Sequence, residues 1–164
     1  MNNRMRVATR RMFLLARWMQ SEAVRTRKKV GIVFTRAADG TYQFGLYSDG
    51  DGDGIRMRDV RSGKDPKFAG PFFLWREYPG IRLGILERDR IARVPPAGGV
   101  LGNRLDPVQF GSSDIISFSP RGRSSSGTLY FTDQKRRMMA LVVYGPTVRI
   151  RVWTYRDGPG RWER

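Results

Sequence analysis

The chain has 164 residues, 40% of them hydrophobic and 28% charged, which fits one folded domain with a core of its own. It contains no cysteine and no histidine. That excludes a disulfide framework and thiol chemistry, and it removes the commonest general base and the commonest transition-metal ligand. Lys and Arg number 31 against 15 Asp and Glu, a formal net charge of +16.

The positive excess sits at the two ends. Residues 1–29 carry nine basic residues and one acid, residues 121–164 carry ten and three, and residues 30–120 carry twelve and eleven. Basic ends around a balanced middle suit a polyanionic partner: nucleic acid, an anionic membrane surface or an acidic protein. The plainer alternative is a solvated surface that serves solubility.

Residues 4–28 read as a helix. Met5, Ala8, Met12, Leu15, Met19 and Ala23 recur at steps of three and four, with Arg6, Arg10 and Arg17 on the opposite face. The stripe is expected to pack on a sheet over its C-terminal half and to face either the sheet or a partner helix over its N-terminal half. The apolar run Met12 to Met19 is broken by Arg17 and falls far short of the roughly 20 residues that span a bilayer. No small-residue cleavage pattern follows it, so a soluble chain is expected.

Strand signals follow. Val30–Phe34 and Tyr42–Tyr47 flank an Asp39-Gly40 turn and read as a hairpin. Residues 49–70 are expected to be loop. Phe72–Arg76 and Ile81–Leu86 are short strand candidates, and the Pro/Gly-rich stretch 94–113 is expected to be mobile. Ile115–Ser119, Thr128–Thr132, Met138–Tyr144 and Val148–Tyr155 are clear strands, with Val148, Ile150 and Val152 pointing inward. The polar tail 156–164 is expected to fray. The fold class is α+β: an N-terminal amphipathic helix packed on antiparallel β-sheets, with about seven or eight strands.

The sharpest local motif is Asp49-Gly50-Asp51-Gly52-Asp53-Gly54-Ile55. Carboxylates at alternate positions followed by glycine match the first half of an EF-hand-type loop, where hard oxygen ligands curl around one Ca²⁺. The twelfth position is Val60 instead of Glu, and the nearest later carboxylates are Asp59 and Asp65. Asp49, Asp51, Asp53, the Ile55 position and Asp59 are the expected ligands of a structural Ca²⁺. The alternative is an acidic turn whose carboxylates pair with Arg56, Arg58 and Arg61.

Ser124-Ser125-Ser126 has no histidine partner and reads as a flexible hairpin tip. No phosphate-binding glycine motif occurs. A role other than catalysis is expected. Arg149, Arg151 and Arg156 interleave with Trp153 and Tyr155, as in a platform for phosphates and stacked bases of DNA or other nucleic acid. The same charges on an edge strand would also deter edge-to-edge pairing.

Three segments taken together resemble the GspH/FimT family of type IV pilin-like minor pseudopilins. Ala16-Arg17-Trp18-Met19-Gln20-Ser21-Glu22-Ala23-Val24-Arg25 leading into Val30-Gly31-Ile32-Val33-Phe34 is similar to the family's helix end and first strand. Ile116-Ser117-Phe118-Ser119-Pro120-Arg121-Gly122 with Gly127-Thr128-Leu129 resembles its Phe-x-Pro-x-Gly … Gly-Thr-Leu hairpin. Val148-Arg149-Ile150-Arg151-Val152 resembles its final strand, with Gly145-Pro146-Thr147 standing where the family's Gly-Arg would be.

The resemblance implies a structural subunit of a type II secretion pseudopilus or a type IV pilus, placed at the periplasmic face of the inner membrane. Other pilins or pseudopilins would be its partners, and some FimT-like members take part in DNA uptake. On that reading residues 1–29 are the C-terminal part of a pilin-type helix, 30–155 a β-rich head and 156–164 a basic tail. Met5, Ala8, Met12, Leu15 and Met19 would pack in the filament core. The family's leader, processing site and apolar half-helix are not among the residues from Met1 onward, so membrane anchoring is expected only through a segment outside this chain.

Overall fold

A long helix, α1 (Asn3–Thr26), opens the structure, a computed structural model that describes residues 3–164. Its buried residues are Met5, Ala8, Thr9, Met12, Ala16, Met19 and Ala23. Steps of three and four keep them on one side. The alanines let the backbone approach the sheets, and the unbranched methionines fill the spaces between. The helix stops without a glycine: Arg27 adopts φ 56°, a left-handed conformation that costs a residue with a side chain about 1 kcal/mol.

The remaining elements are β1 (Val30–Arg36), β2 (Tyr42–Ser48), α2 (Met57–Ser62), β3 (Lys67–Phe72), α3 (Leu74–Glu77), β4 (Arg82–Leu83), β5 (Val108–Gln109), β6 (Ile115–Phe118), β7 (Gly127–Thr132), β8 (Met138–Tyr144), β9 (Arg149–Arg156) and β10 (Arg161–Glu163). They form two sheets, in the orders β3-β2-β1-β6 and β10-β9-β8-β7-β4, with β5 pairing separately with β7. Every pairing is antiparallel. The architecture is α+β, with the N-terminal helix packed across both sheets.

The main core lies between α1 and the sheets. It contains Met5, Met12 and Met19 from the helix, Ile32, Phe34, Ile116 and Phe118 from the first sheet, and Leu129, Phe131, Leu141 and Ile150 from the second. Each sheet is also covered on its outer face. Val33 and Ile115 of the first sheet meet Ile55, with Met57 and Val60 alongside. Tyr130, Met138, Ala140 and Tyr155 of the second sheet meet Ile85, Leu86, Ile91, Val94 and Leu101.

Several sequence expectations are corrected here. The stretch 94–113 is anchored at points: Val94 and Leu101 reach the second core, Val108 and Phe110 the main one, and Ala92 bridges to Val100, while residues 102–105 stay exposed. The tail 156–164 ends in a strand: β10 pairs with β9, and Trp162 is buried against Tyr130 and Tyr155 while its Nε1 donates to the Ala92 carbonyl at 2.8 Å. The segment 49–70 holds α2 and β3. Pro71 is tolerated in β3 because this strand is the sheet's edge. Phe72–Arg76 is strand only at Phe72, where β3 ends, and α3 then turns through the rest to bury Leu74. Ten strands are found among the described residues, the unexpected ones being β3, of six residues, and the short β5 and β10.

The helix stripe assigned to filament packing is also placed differently. Met5, Ala8, Met12 and Met19 are buried in the molecule's own core, and Leu15 is partly buried against it. The molecule uses that face for its own core. The opposite side of α1 carries a second apolar row, Val7, Leu14 and Trp18, each about half exposed. Trp18 lies 6.3 Å from the ring of Phe68 on β3, itself exposed.

Candidate metal centre

The aspartate-rich loop starts at the end of β2 and returns to the first sheet at β3. Its start is tied to the α1–β1 connection by the Asp49 amide, which donates to the Lys29 carbonyl at 3.0 Å. Its end is tied to β2 by the Ser48 amide, which donates to the Pro66 carbonyl at 3.0 Å. Between these ties the chain crosses itself closely. A Cβ at Gly50 would collide with the Lys64 carbonyl, so only glycine lets residues 64–66 come this near. Gly54, at φ +94°, supplies the left-handed turn that ends the acidic run.

Two buried aspartates organise the loop. Asp49 is 7% exposed; its Oδ1 accepts from the amides of Asp51 and Gly52 at 3.2 and 2.9 Å, and its Oδ2 accepts from Gly54 at 2.8 Å. Asp65 is 1% exposed; its Oδ1 accepts from the Gly50 amide and its Oδ2 from the Arg56 amide, both at 3.0 Å. Asp51 and Asp53 are exposed at the rim. Carboxylate oxygens of Asp49, Asp51, Asp53 and Asp65 all lie within 4.8 Å of one another. Four acidic groups gathered this closely could hold a metal ion.

Among the carboxylates the convergence differs from the loop alignment: Asp65 joins Asp49, Asp51 and Asp53, whereas Asp59 stands outside the group. The Ile55 side chain instead packs on Val33 and Ile115, and Val60, in the position an EF-hand gives to its bidentate Glu, packs beside it. Asp59 sits in α2 and is 3% exposed, and its Oδ2 is buried without a hydrogen-bond partner. Its Oδ1 is 3.7 Å from Arg58 Nε, and Arg58 Nη2 is 3.9 Å from Asp53 Oδ2. The rim thus carries the arginine pairing expected of an acidic turn as well, with Arg56 Nε 3.5 Å from Asp53 Oδ2.

The arginines of β9 do not form one platform. Arg149 and Arg151 alternate with Ile150 and Val152, whereas Arg156 falls on the Ile150 side of the strand. Tyr155 is buried against Trp162 and is not available for stacking. The serine run is held in place: Ser125 Oγ bonds to Ser117, and Ser126 Oγ accepts from the Gly145 amide at 2.8 Å. Among the described residues no helix is long and apolar enough to cross a membrane. No family model matches the chain, and neither does any curated protein or solved structure.

Proposed function

We propose that this chain is a structural subunit that assembles into a pilin-like filament through the outer face of α1, in the manner of a GspH/FimT minor pseudopilin of a type II secretion or type IV pilus system. One observation carries the proposal: the same helix has two apolar faces. The first holds the head together. The second, Val7, Leu14 and Trp18, lies outward on a helix already locked to its sheets. A row of half-exposed large side chains at helical spacing is suited to a partner helix.

Because these residues lie outside the core, Leu14→Asp and Trp18→Arg should leave stability within about 0.5 kcal/mol. The same changes should abolish incorporation into filaments in the source cell. Normal filaments containing the double variant would refute the reading.

Within this subunit the aspartate loop acts as a Ca²⁺-dependent staple on the outer face of the first sheet. Ligands on opposite sides of a Ca²⁺ stand about 4.6–5.2 Å apart, twice the usual Ca–O distance, and the four carboxylates converge within that span. Saturation at about 100 times Kd would add roughly 2.7 kcal/mol, a rise of about 5–11 °C in Tm for a chain of this size. Calorimetric titration of chelator-treated protein tests it. No heat and no rise in Tm would leave the loop as an acidic turn.

A further inference from the structure

The hairpin 91–101 crosses the outer face of the second sheet and is fixed there. Ala92 bridges to Val100, the Arg93 amide donates to the Gly99 carbonyl at 3.0 Å, and the Leu101 amide donates to the Ile91 carbonyl at 2.7 Å. Ile91 and Leu101 are buried with Tyr130 in the second core, and Trp162 Nε1 holds the Ala92 carbonyl. Between this hairpin and the strands β5 and β7 lies a pocket of about 450 Å³, within the roughly 300–1,000 Å³ of small-molecule sites. Arg93 is the one charged residue that lines it. Among the described residues no carboxylate is within ion-pair distance of Arg93.

We infer that this pocket binds a small hydroxylated carboxylate, such as a sugar acid. A guanidinium with no acid beside it selects an anion, and its planar fork matches the two oxygens of a carboxylate. A single positive charge balances a monoanion, whereas a phosphate monoester would bring a second negative charge without a partner. The other polar groups suit hydroxyls, which both donate and accept. The Thr128 and Tyr130 hydroxyls pair with each other, and each keeps capacity for a further bond. Gln109 Nε2 donates to the Asn103 and Asp106 carbonyls at 2.8 and 2.9 Å, which leaves Oε1 to accept. Asn103 Oδ1 accepts from the Leu105 and Asp106 amides, which leaves Nδ2 to donate. Val94 and Leu101 add apolar wall for the C–H face of a ring. Thr128 and Tyr130 alternate with Leu129 and Phe131, which belong to the core under α1. The pocket is therefore on the far side of the sheet from the helix, and the inference does not rest on filament assembly.

The test is a titration of the nitrogen-15-labelled full chain with D-glucuronate, followed by amide chemical shifts. Saturable shifts are expected at Arg93, Leu101, Gly102 and Thr128. D-Glucose, which lacks the charge, should bind at least about tenfold more weakly, as expected for the loss of a charge-assisted hydrogen bond. Acetate, which lacks the hydroxyls, should also bind more weakly. Arg93→Gln should weaken glucuronate binding at least about tenfold, and Tyr130→Phe about two- to tenfold. Arg121→Gln, an exposed change outside the pocket, should leave it unaltered, and the spectra themselves check that each variant is folded. No saturable shift at these amides would overturn the inference. So would equal affinity for glucose or acetate, tighter binding of inorganic phosphate, unchanged affinity in Arg93→Gln, or a loss at Arg121 equal to that at Arg93.

Discussion

Asp59 and Asp65 are six residues apart and both buried, yet truncating them should have very unequal costs. Asp65 accepts from two backbone amides at 3.0 Å each. Asp65→Ala leaves both donors facing an apolar side chain. Hydrogen bonds to a charged group contribute about 1.5–3 kcal/mol each, so the pair is worth about 3–6 kcal/mol, and the partly buried setting of the amides favours the lower end. That is a large share of the roughly 5–15 kcal/mol that holds a domain folded. Asp59→Ala removes a carboxylate whose Oδ2 has no partner and whose Oδ1 has only Arg58 at 3.7 Å. Losing an unsatisfied buried oxygen offsets the lost helix-dipole and ion-pair terms, and the change should stay within about 1 kcal/mol. Urea denaturation of the two variants in chelator reads the difference directly. Costs that are equal, or larger for Asp59, would refute the assignment of Asp65 as the loop's anchor.

Other expectations are independent of the loop. Arg27→Gly relieves a left-handed residue at the end of α1 and should raise stability by up to about 1 kcal/mol, a Tm gain of about 2–4 °C by calorimetry. Trp162→Ala should cost about 3–5 kcal/mol and expose the segment around Ala92 to limited proteolysis, whereas a fraying tail would tolerate it. Burial pushes the Tyr130 hydroxyl up to about 12, and burial also raises Tyr42 and Tyr155. A phenol with a raised folded pKa favours the neutral, folded form. Its contribution is complete below about pH 10 and is lost as pH climbs through the folded values. Ultraviolet titration should find these tyrosines ionising late and together with unfolding, and stability should fall from about pH 10 to 12.

The parts of the fold legible in the sequence are those governed by local period. The Met5–Met19 stripe has helical spacing, β8 is an unbroken apolar run and β9 alternates arginine with apolar residues, so each is legible to within about two residues. What escaped depends on distant neighbours. β3 carries Gly70-Pro71, which argues against a strand unless the strand is known to be an edge. β10 is a polar tail until Trp162 finds Tyr130, Tyr155 and the Ala92 carbonyl, all far away in sequence. The segment 94–113 is rich in Pro and Gly, yet Val94 and Leu101 reach a core that forms only once the second sheet exists.

The same division runs through the sites. The Asp49, Asp51 and Asp53 spacing was visible, but choosing Asp65 over Asp59 required the crossing at Gly50 and Lys64. The basic ends were visible as counts, but that Arg6 and Arg10 of α1 come to lie beside β9 depends on how the helix packs, and gave no local signal.

Absence of native cysteine permits the most direct test of assembly through α1. A single Cys placed at Trp18, treated with a short bifunctional maleimide in the source cell, should join this chain to another subunit through that subunit's helix, identified by mass spectrometry. A Cys at Lys135, exposed on the β7–β8 turn, serves as the comparison. No product from the Trp18 position, or product only from Lys135, would contradict the assignment of the outer helix face to filament assembly.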